Sequence, residues 1–293
     1  MLLFIGLPII SSFFQSLHIE PEQILMEVEK CDPFGCKTET KVDIEATTKL
    51  QEEQPLGRFN GLGTYGDRNH LAFDEIKEAW TNSSSIAEFT DILLNLPFYK
   101  ALLFTLTFCF AVTPPVVVLG FIVALSVNTI TKSLKGPTIF GVILPMIVTP
   151  LIGSLVLFWM IDAKGILGSF IQFLFDDPNL SLKSSSQLTW ITLIIYGIWH
   201  NTPFAFVVFY AALQTVPQDP IEAAIIDGAS RYERVRHIVI PHLYPVATFI
   251  ILICLMDNFR VLEPIIGFAA EGVAQSLSWM IYNDLRSENK MLF

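Results

Sequence analysis

Charge is the scarcest property of this sequence. Only 16% of its 293 residues are Asp, Glu, Lys or Arg, where soluble domains carry about 25%. Hydrophobic residues make up 52%. That balance excludes a disordered chain and argues against an ordinary soluble enzyme. Positive charge is scarcer still: 18 Lys and Arg face 28 Asp and Glu, for a net charge of −10. An acidic balance argues against nucleic acid as a partner, because phosphate binding needs a basic face. Four cysteines are too few for a disulfide scaffold. No G-x-x-x-x-G-K-[S/T] loop occurs. No Ser/His/Asp set and no metal-ligand set gathers on one aqueous side, so neither catalysis nor a metal is expected of this chain. The Gly-rich run Phe59–Gly66 lacks the flanking strand and helix pattern of a dinucleotide site.

The charge that is present is unevenly spread. Residues 18–97 hold 16 acidic and 7 basic side chains, while the remaining residues hold 12 and 11. The chain therefore reads as a nearly neutral apolar body carrying one acidic polar insert. A bilayer core about 30 Å thick needs about 20 apolar residues in a helix. Five stretches are candidates: Met1–Leu17, Phe98–Val127, Thr138–Ile161, Leu188–Leu213 and Leu243–Leu262. The first is the shortest. It lacks the basic start and small-residue cleavage site of a signal peptide, so an anchor helix is the better reading. The expected division is 1–17 as first membrane helix, 18–97 as outward acidic insert and 98–293 as membrane core. Within the insert, residues 83–94 read as a short amphipathic helix.

Orientation follows from Lys and Arg in the short loops. The 128–137 loop carries Lys132 and Lys135, and the 214–242 loop carries Arg231, Arg234 and Arg236. Both belong in the cytoplasm, and two candidate spans lie between them. The insert and the 162–187 loop then face outward. Cys31 and Cys36 bracket a turn-forming Asp-Pro-Phe-Gly. A disulfide between them fits an oxidising compartment, which the outward placement supplies; two free thiols are the alternative. Cys109 and Cys254 fall in apolar spans and read as packing residues.

The most informative stretch is Val216–Pro245. Asp219, Pro220 and Glu222 have the spacing of a cap, a first helical residue and a capping-box partner. Gly228 is placed to stop that helix in the left-handed conformation. Ser230 and Glu233 repeat the capping pattern, and Pro241 is expected to end the second helix. Residues 216–242 thus predict helix, tight turn, helix. Ala223 and Ala224 keep the first helix slim on one side, able to enter a groove on a partner. Glu222 and Asp227 offer charge to a basic rim.

This stretch resembles the EAA loop of the permease subunits of binding-protein-dependent ABC importers: EAA, three residues, G, nine residues, I, one residue, LP. Here the pattern is carried by Glu222, Ala223, Ala224, Gly228, Ile238 and Pro241, with Ile240 where Leu is usual. Pro217, Asp227, Ala229, Ser230 and Pro245 are similar to the carbohydrate-uptake, maltose-type branch. Phe259-Arg260-Val261-Leu262-Glu263 is similar to a second segment of that branch, with Leu262 in place of Phe. If helical, it sets Arg260 beside Glu263. The Gly-Gly-Pro run common after it is absent, which leaves the shape of the following loop open.

The resemblance implies an all-α polytopic bundle with a sixth helix beyond the five spans, so the sequence is expected to be cut short at Phe293. It implies that ATP and Mg are bound by a separate dimer of ATP-binding subunits. A second permease chain and a periplasmic solute-binding protein complete the implied importer in the bacterial inner membrane, surrounded by membrane lipid. Glu222 leads the residues expected to couple to the ATPase. Trp159, Trp199, Asn201, Asn258, Arg260 and Glu263 are candidates for the substrate path, with packing or interfacial duty as the alternative. Two other readings stand beside sugar import: a permease for a non-sugar solute, and a membrane receptor or assembly protein without transport.

Overall fold

The computed structural model describes residues 2–19, 24–32, 35–53, 57–66, 70–83, 85–177, 181–183 and 185–290. The chain divides into two compact units. One comprises Met1–Lys100 with Asp284–Phe293, the other Ala101–Asn283.

The first unit opens with α1 (Leu2–Ser16), whose 15 residues extend about 22 Å. That is less than the bilayer core expected of the 1–17 stretch. Strand β1 (His18–Ile19) pairs antiparallel with β4 (Arg58–Phe59). Between them β2 (Leu25–Asp32) and β3 (Gly35–Val42) form a hairpin in which Cys31 and Cys36 are partners. The side chains of both cysteines, and with them the proposed disulfide, lie outside the described residues. Helices α2 (Ile44–Glu53), α3 (Gly63–Gly66), α4 (Phe73–Asn82) and α5 (Ile86–Asn95) complete the unit. Ser85 caps α5 by accepting from the Ala87 N–H at 3.2 Å, so the predicted amphipathic helix starts three residues late.

The second unit is a helical membrane bundle. Three of its helices are long and apolar enough to cross a bilayer: α6 (Pro97–Thr129), α10 (Ser186–Leu213) and the run Arg231–Phe259. The expected span at 138–161 is different. It is a pair, α7 (Lys132–Ile147) and α8 (Pro150–Met160), bent by 95°. The cause is local. The residue before a proline is driven out of the helical region, and Thr149 and Val148 are both extended, at ψ 143° and 126°. Pro114 and Pro115, by contrast, leave α6 a single helix. The described residues therefore hold three or four spans, not five. Short helix α9 (Ile166–Phe175) links α8 to α10.

Packing is close where α6 meets α10. A Cβ on Gly120 would stand 2.5 Å from that of Ala205, so glycine permits the approach. Val112, Val116, Leu193, Phe206 and Ile250 are fully buried in the core that runs along these helices. Cys109 and Cys254 are buried among them.

Candidate functional site

Two polar features stand out in the second unit, and one helix carries both. The first begins at α11 (Gln218–Ile226). Its start differs from the sequence expectation: Pro217, not Asp219, occupies the cap position, and Asp219 lies in the first turn. The first-turn N–H groups have no helical partner in any case. Pro220 therefore costs no bond there, and the helix begins earlier than its capping-box spacing suggests.

The turn after α11 follows the expected chemistry. Gly228 has φ +81°. Its N–H donates to the Ile225 carbonyl at 3.0 Å, and the Ala229 N–H donates to Ala224 at 2.8 Å. This pair of bonds is the Schellman closure that left-handed glycine allows. The next helix, α12 (Arg231–Arg234), opens with a complete capping box. The Ser230 N–H donates to Glu233 Oε2 at 2.7 Å, and the Glu233 N–H donates to Ser230 Oγ at 3.3 Å.

Pro241 does not end this helix. Residues Val235–Val239 form a π turn, in which the Ile240 N–H donates to Val235, and α13 (Ile240–Phe259) continues directly. Proline cannot donate to the carbonyl four residues back. A wider turn just before it absorbs that loss, and Pro241 then sits at the start of α13. The result is one run from Arg231 to Phe259, 29 residues and about 43 Å long.

The surface of α11 is open. Glu222, Ala223, Asp227 and Gly228 are exposed, Ala224 is half-buried, and α11 buries none of its side chains. Ile226 is 85% exposed. Ile238 is half-buried within the π turn, and Pro241 is exposed. An apolar side chain this exposed beside open carboxylates suits a protein contact better than water.

The second feature lies at the far end of the same run. Asn258 is 2% exposed. Its Nδ2 donates to Thr113 Oγ1 at 3.1 Å, and its Oδ1 accepts from Asn201 Nδ2 at 3.0 Å. One side chain thus ties α13 to the middle of α6 and of α10. A cavity of about 220 Å³ opens beside it, lined by Asn201, Asn258, Arg260 and Glu263 together with Tyr196, His200 and Asp257. The Tyr196 hydroxyl donates to the Pro150 carbonyl at 2.8 Å, which fixes the ring against the bend between α7 and α8. His200 Nδ1 is buried and has no hydrogen-bond partner among the described residues.

Four of the six path candidates therefore meet at one cavity. Trp159 and Trp199 do not line it; Trp159 is 66% exposed and leans on Phe158. Arg260 and Glu263 are not neighbours on one helix. Helix α13 stops at Phe259, and a new short helix, α14 (Glu263–Gly267), starts after the break. No ion pair joins the two side chains among the described residues. Tyr196, His200 and Asp257 were not singled out from the sequence. Tyr196 and His200 were legible as polar residues on the α10 face that carries Asn201, and Asp257 as a charge inside a span.

Residues 93–262 match the family described as binding-protein-dependent transport system inner membrane component. Among relatives, 115 residues are 34% identical to the trehalose/maltose transport system permease protein MalF of Thermococcus litoralis, covering 36% of this chain and 39% of that protein. Over 210 residues the chain is 26% identical to the sn-glycerol-3-phosphate transport system permease protein UgpA of Yersinia enterocolitica, covering 69% of this chain and 68% of the relative. Its fold is similar to a chain of a bacterial alginate ABC transporter solved with an alginate pentasaccharide-bound periplasmic protein. The TM-score is 0.53 at 18% identity, over 71% of each chain. A second alginate importer structure matches with TM-score 0.51 at 17% identity, over 81% of each.

Proposed function

Because the chain belongs to the binding-protein-dependent transport components of the inner membrane, the permeases of ABC importers, we propose that it forms part of the membrane pathway of an ATP-driven importer for a carbohydrate or related polyol. The ligands named for its relatives, trehalose, maltose and glycerol phosphate, support that class. Permeases of this family are not themselves catalysts. Hydrolysis of ATP, with Mg, belongs to a separate pair of ATPase subunits. A second permease chain and a periplasmic solute-binding protein complete the assembly. Residues 216–242 form the cytoplasmic coupling loop, and residues 18–97 lie on the outer side.

The observation that carries this reading is the continuity of Arg231–Phe259. One end is joined through Gly228 to the exposed α11. The other end holds Asn258 at the polar cavity. A push on α11 from a closing ATPase moves a single lever about 43 Å long. The lever acts on the hub that ties α6 and α10 together, and the path alternates between outward and inward access. Glu222, Ala223, Ala224, Asp227 and Gly228 are the coupling residues. Ile238 lies in the π turn that keeps the lever unbroken, and Pro241 follows it at the start of α13. Asn201, Asn258, Arg260 and Glu263, with His200, line the substrate path. Trp159 and Trp199 lie off that cavity and serve in packing or at an interface.

Glu222→Arg tests the coupling. In proteoliposomes containing the whole importer and loaded binding protein, uptake should fall at least tenfold, while the complex still assembles. Unchanged ATP-coupled uptake overturns the assignment. A panel of sugars, polyols and amino acids in the same assay fixes the ligand class, and stimulation only by an amino acid overturns the carbohydrate reading.

A further inference from the structure

We propose that α9 is an interfacial anchor, lying flat in the leaflet opposite the α11 end with its outer face among lipid chains. Ten residues extend about 15 Å, half a bilayer core, so α9 cannot span. Its exposed positions are Ile166, Ser169, Phe170, Phe173, Leu174 and, at its last residue, Phe175. The first five recur at helical spacing and form one stripe, while Phe175 ends the helix off that stripe. Five of the six are large and apolar, and Phe173 is 82% exposed. A largely apolar face thus points away from the protein.

The opposite side is closed, near its start, by the turn that precedes the helix. Gly168 sits on the opposite side against the backbone carbonyl of Asp162, with no room for a Cβ. Both ends are polar as well. Lys164 precedes the helix, and Asp176 and Asp177 follow it. An upright helix would drag one charged end into hydrocarbon; a flat one leaves both in the headgroup layer. Exposed Trp159, in the last turn of α8 before the link to α9, suits the interfacial belt where tryptophan concentrates. The leaflet follows from α10, whose 28 residues separate α9 from the α11 end by about 42 Å. Calling it the outer leaflet rests on the cytoplasmic placement of α11 made above.

Spin labels test the proposal. Single cysteines replace Lys164, Ile166, Phe170, Phe173, Leu174 and Asp177 in a chain whose native cysteines are changed to serine. Each is read in the complete importer in phosphatidylethanolamine/phosphatidylglycerol nanodiscs. Labels at 166, 170, 173 and 174 should collide with oxygen and be shielded from a water-soluble nickel chelate. Labels at 164 and 177 should show the reverse. Nickel access along the stripe means a solvated helix. Shielding from both reagents means a protein partner covers it. Either result overturns the proposal. If the importer does not assemble with one label, the other three stripe positions give the same reading. Uptake is measured on the same samples, so a failure of the transport reading shows separately.

Discussion

The two ends of the Arg231–Phe259 helix meet the same requirement, satisfied polar groups, by opposite means. At the Arg231 end every partner is a few residues away. Ser230 and Glu233 cap each other, and Gly228 lets the α11 carbonyls close on Gly228 and Ala229. At the Asn258 end the partners stand 57 and 145 residues away in sequence, on two other helices. Local closure leaves the side chains of α11 free to face a partner. Distant closure commits the side chain to holding the bundle. On the proposed function, the first end is a contact surface and the second is a joint. Damage to the joint should register as stability, and damage to the surface as coupling.

The largest stability effect is expected at the joint. Asn258→Leu leaves Thr113 and Asn201 without their partner, and an unsatisfied buried polar group costs about 1–3 kcal/mol. Comparable side-chain bonds within membrane bundles have measured nearer 0.6 kcal/mol, so about 2 kcal/mol for the two together is expected. It appears as a lowered thermal midpoint of the purified complex in detergent, and transport should fall with it. An unchanged midpoint breaks the comparison, because the joint would then bear no load.

Gly228→Val should invert that pattern. The position has φ +81°, and a side chain there costs about 1–2 kcal/mol. A substituted Cβ meets no neighbour within 4 Å, so the strain stays in the turn and re-aims α11. The thermal midpoint should move less than in Asn258→Leu. ATP hydrolysis should continue, while solute moved per ATP falls. A variant that loses midpoint and coupling together would show that the turn is part of the joint.

These contrasts also explain what the sequence could reveal. Residues 216–242 were readable because Gly228, Ser230 and Glu233 act over three or four residues, and a spacing motif records such chemistry directly. The membrane bundle was readable from run length, since hydropathy and helical rise fix a span. The cavity was half readable. Asn201, Asn258, Arg260 and Glu263 are conspicuous in apolar runs, but that they converge depends on how α6, α10 and α13 pack. The prolines misled in both directions. Pro241 promises a helix end, and a π turn removes the promise. Pro150 sits within an apolar run long enough to span, and the extended residues before it bend that run by 95°. In each case the outcome depends on the backbone of the preceding turn, which composition does not encode.

The smallest effect is expected where a long-range polar tie is half-exposed rather than buried. Lys183 Nζ donates to Asp162 Oδ2 at 3.1 Å and stands 3.3 Å over the Phe158 ring. The hydrogen bond from Lys183, then the Lys164 backbone N–H, holds the Asp162 carboxyl below the usual carboxylate range. A carboxylate whose folded pKa is lowered adds stability above its unfolded pKa. That contribution fades as pH falls through the folded value. Asp162→Asn should therefore lower the thermal midpoint slightly at pH 7, and the two proteins should converge in acid, below about pH 4. High salt should shrink the difference as well, because exposed charges are screened. The Asn258→Leu deficit should ignore both variables, since neither asparagine nor threonine titrates. Equal pH and salt dependence in the two variants would mean that the joint is held by charge, and the contrast between a buried joint and a half-exposed tie would fail.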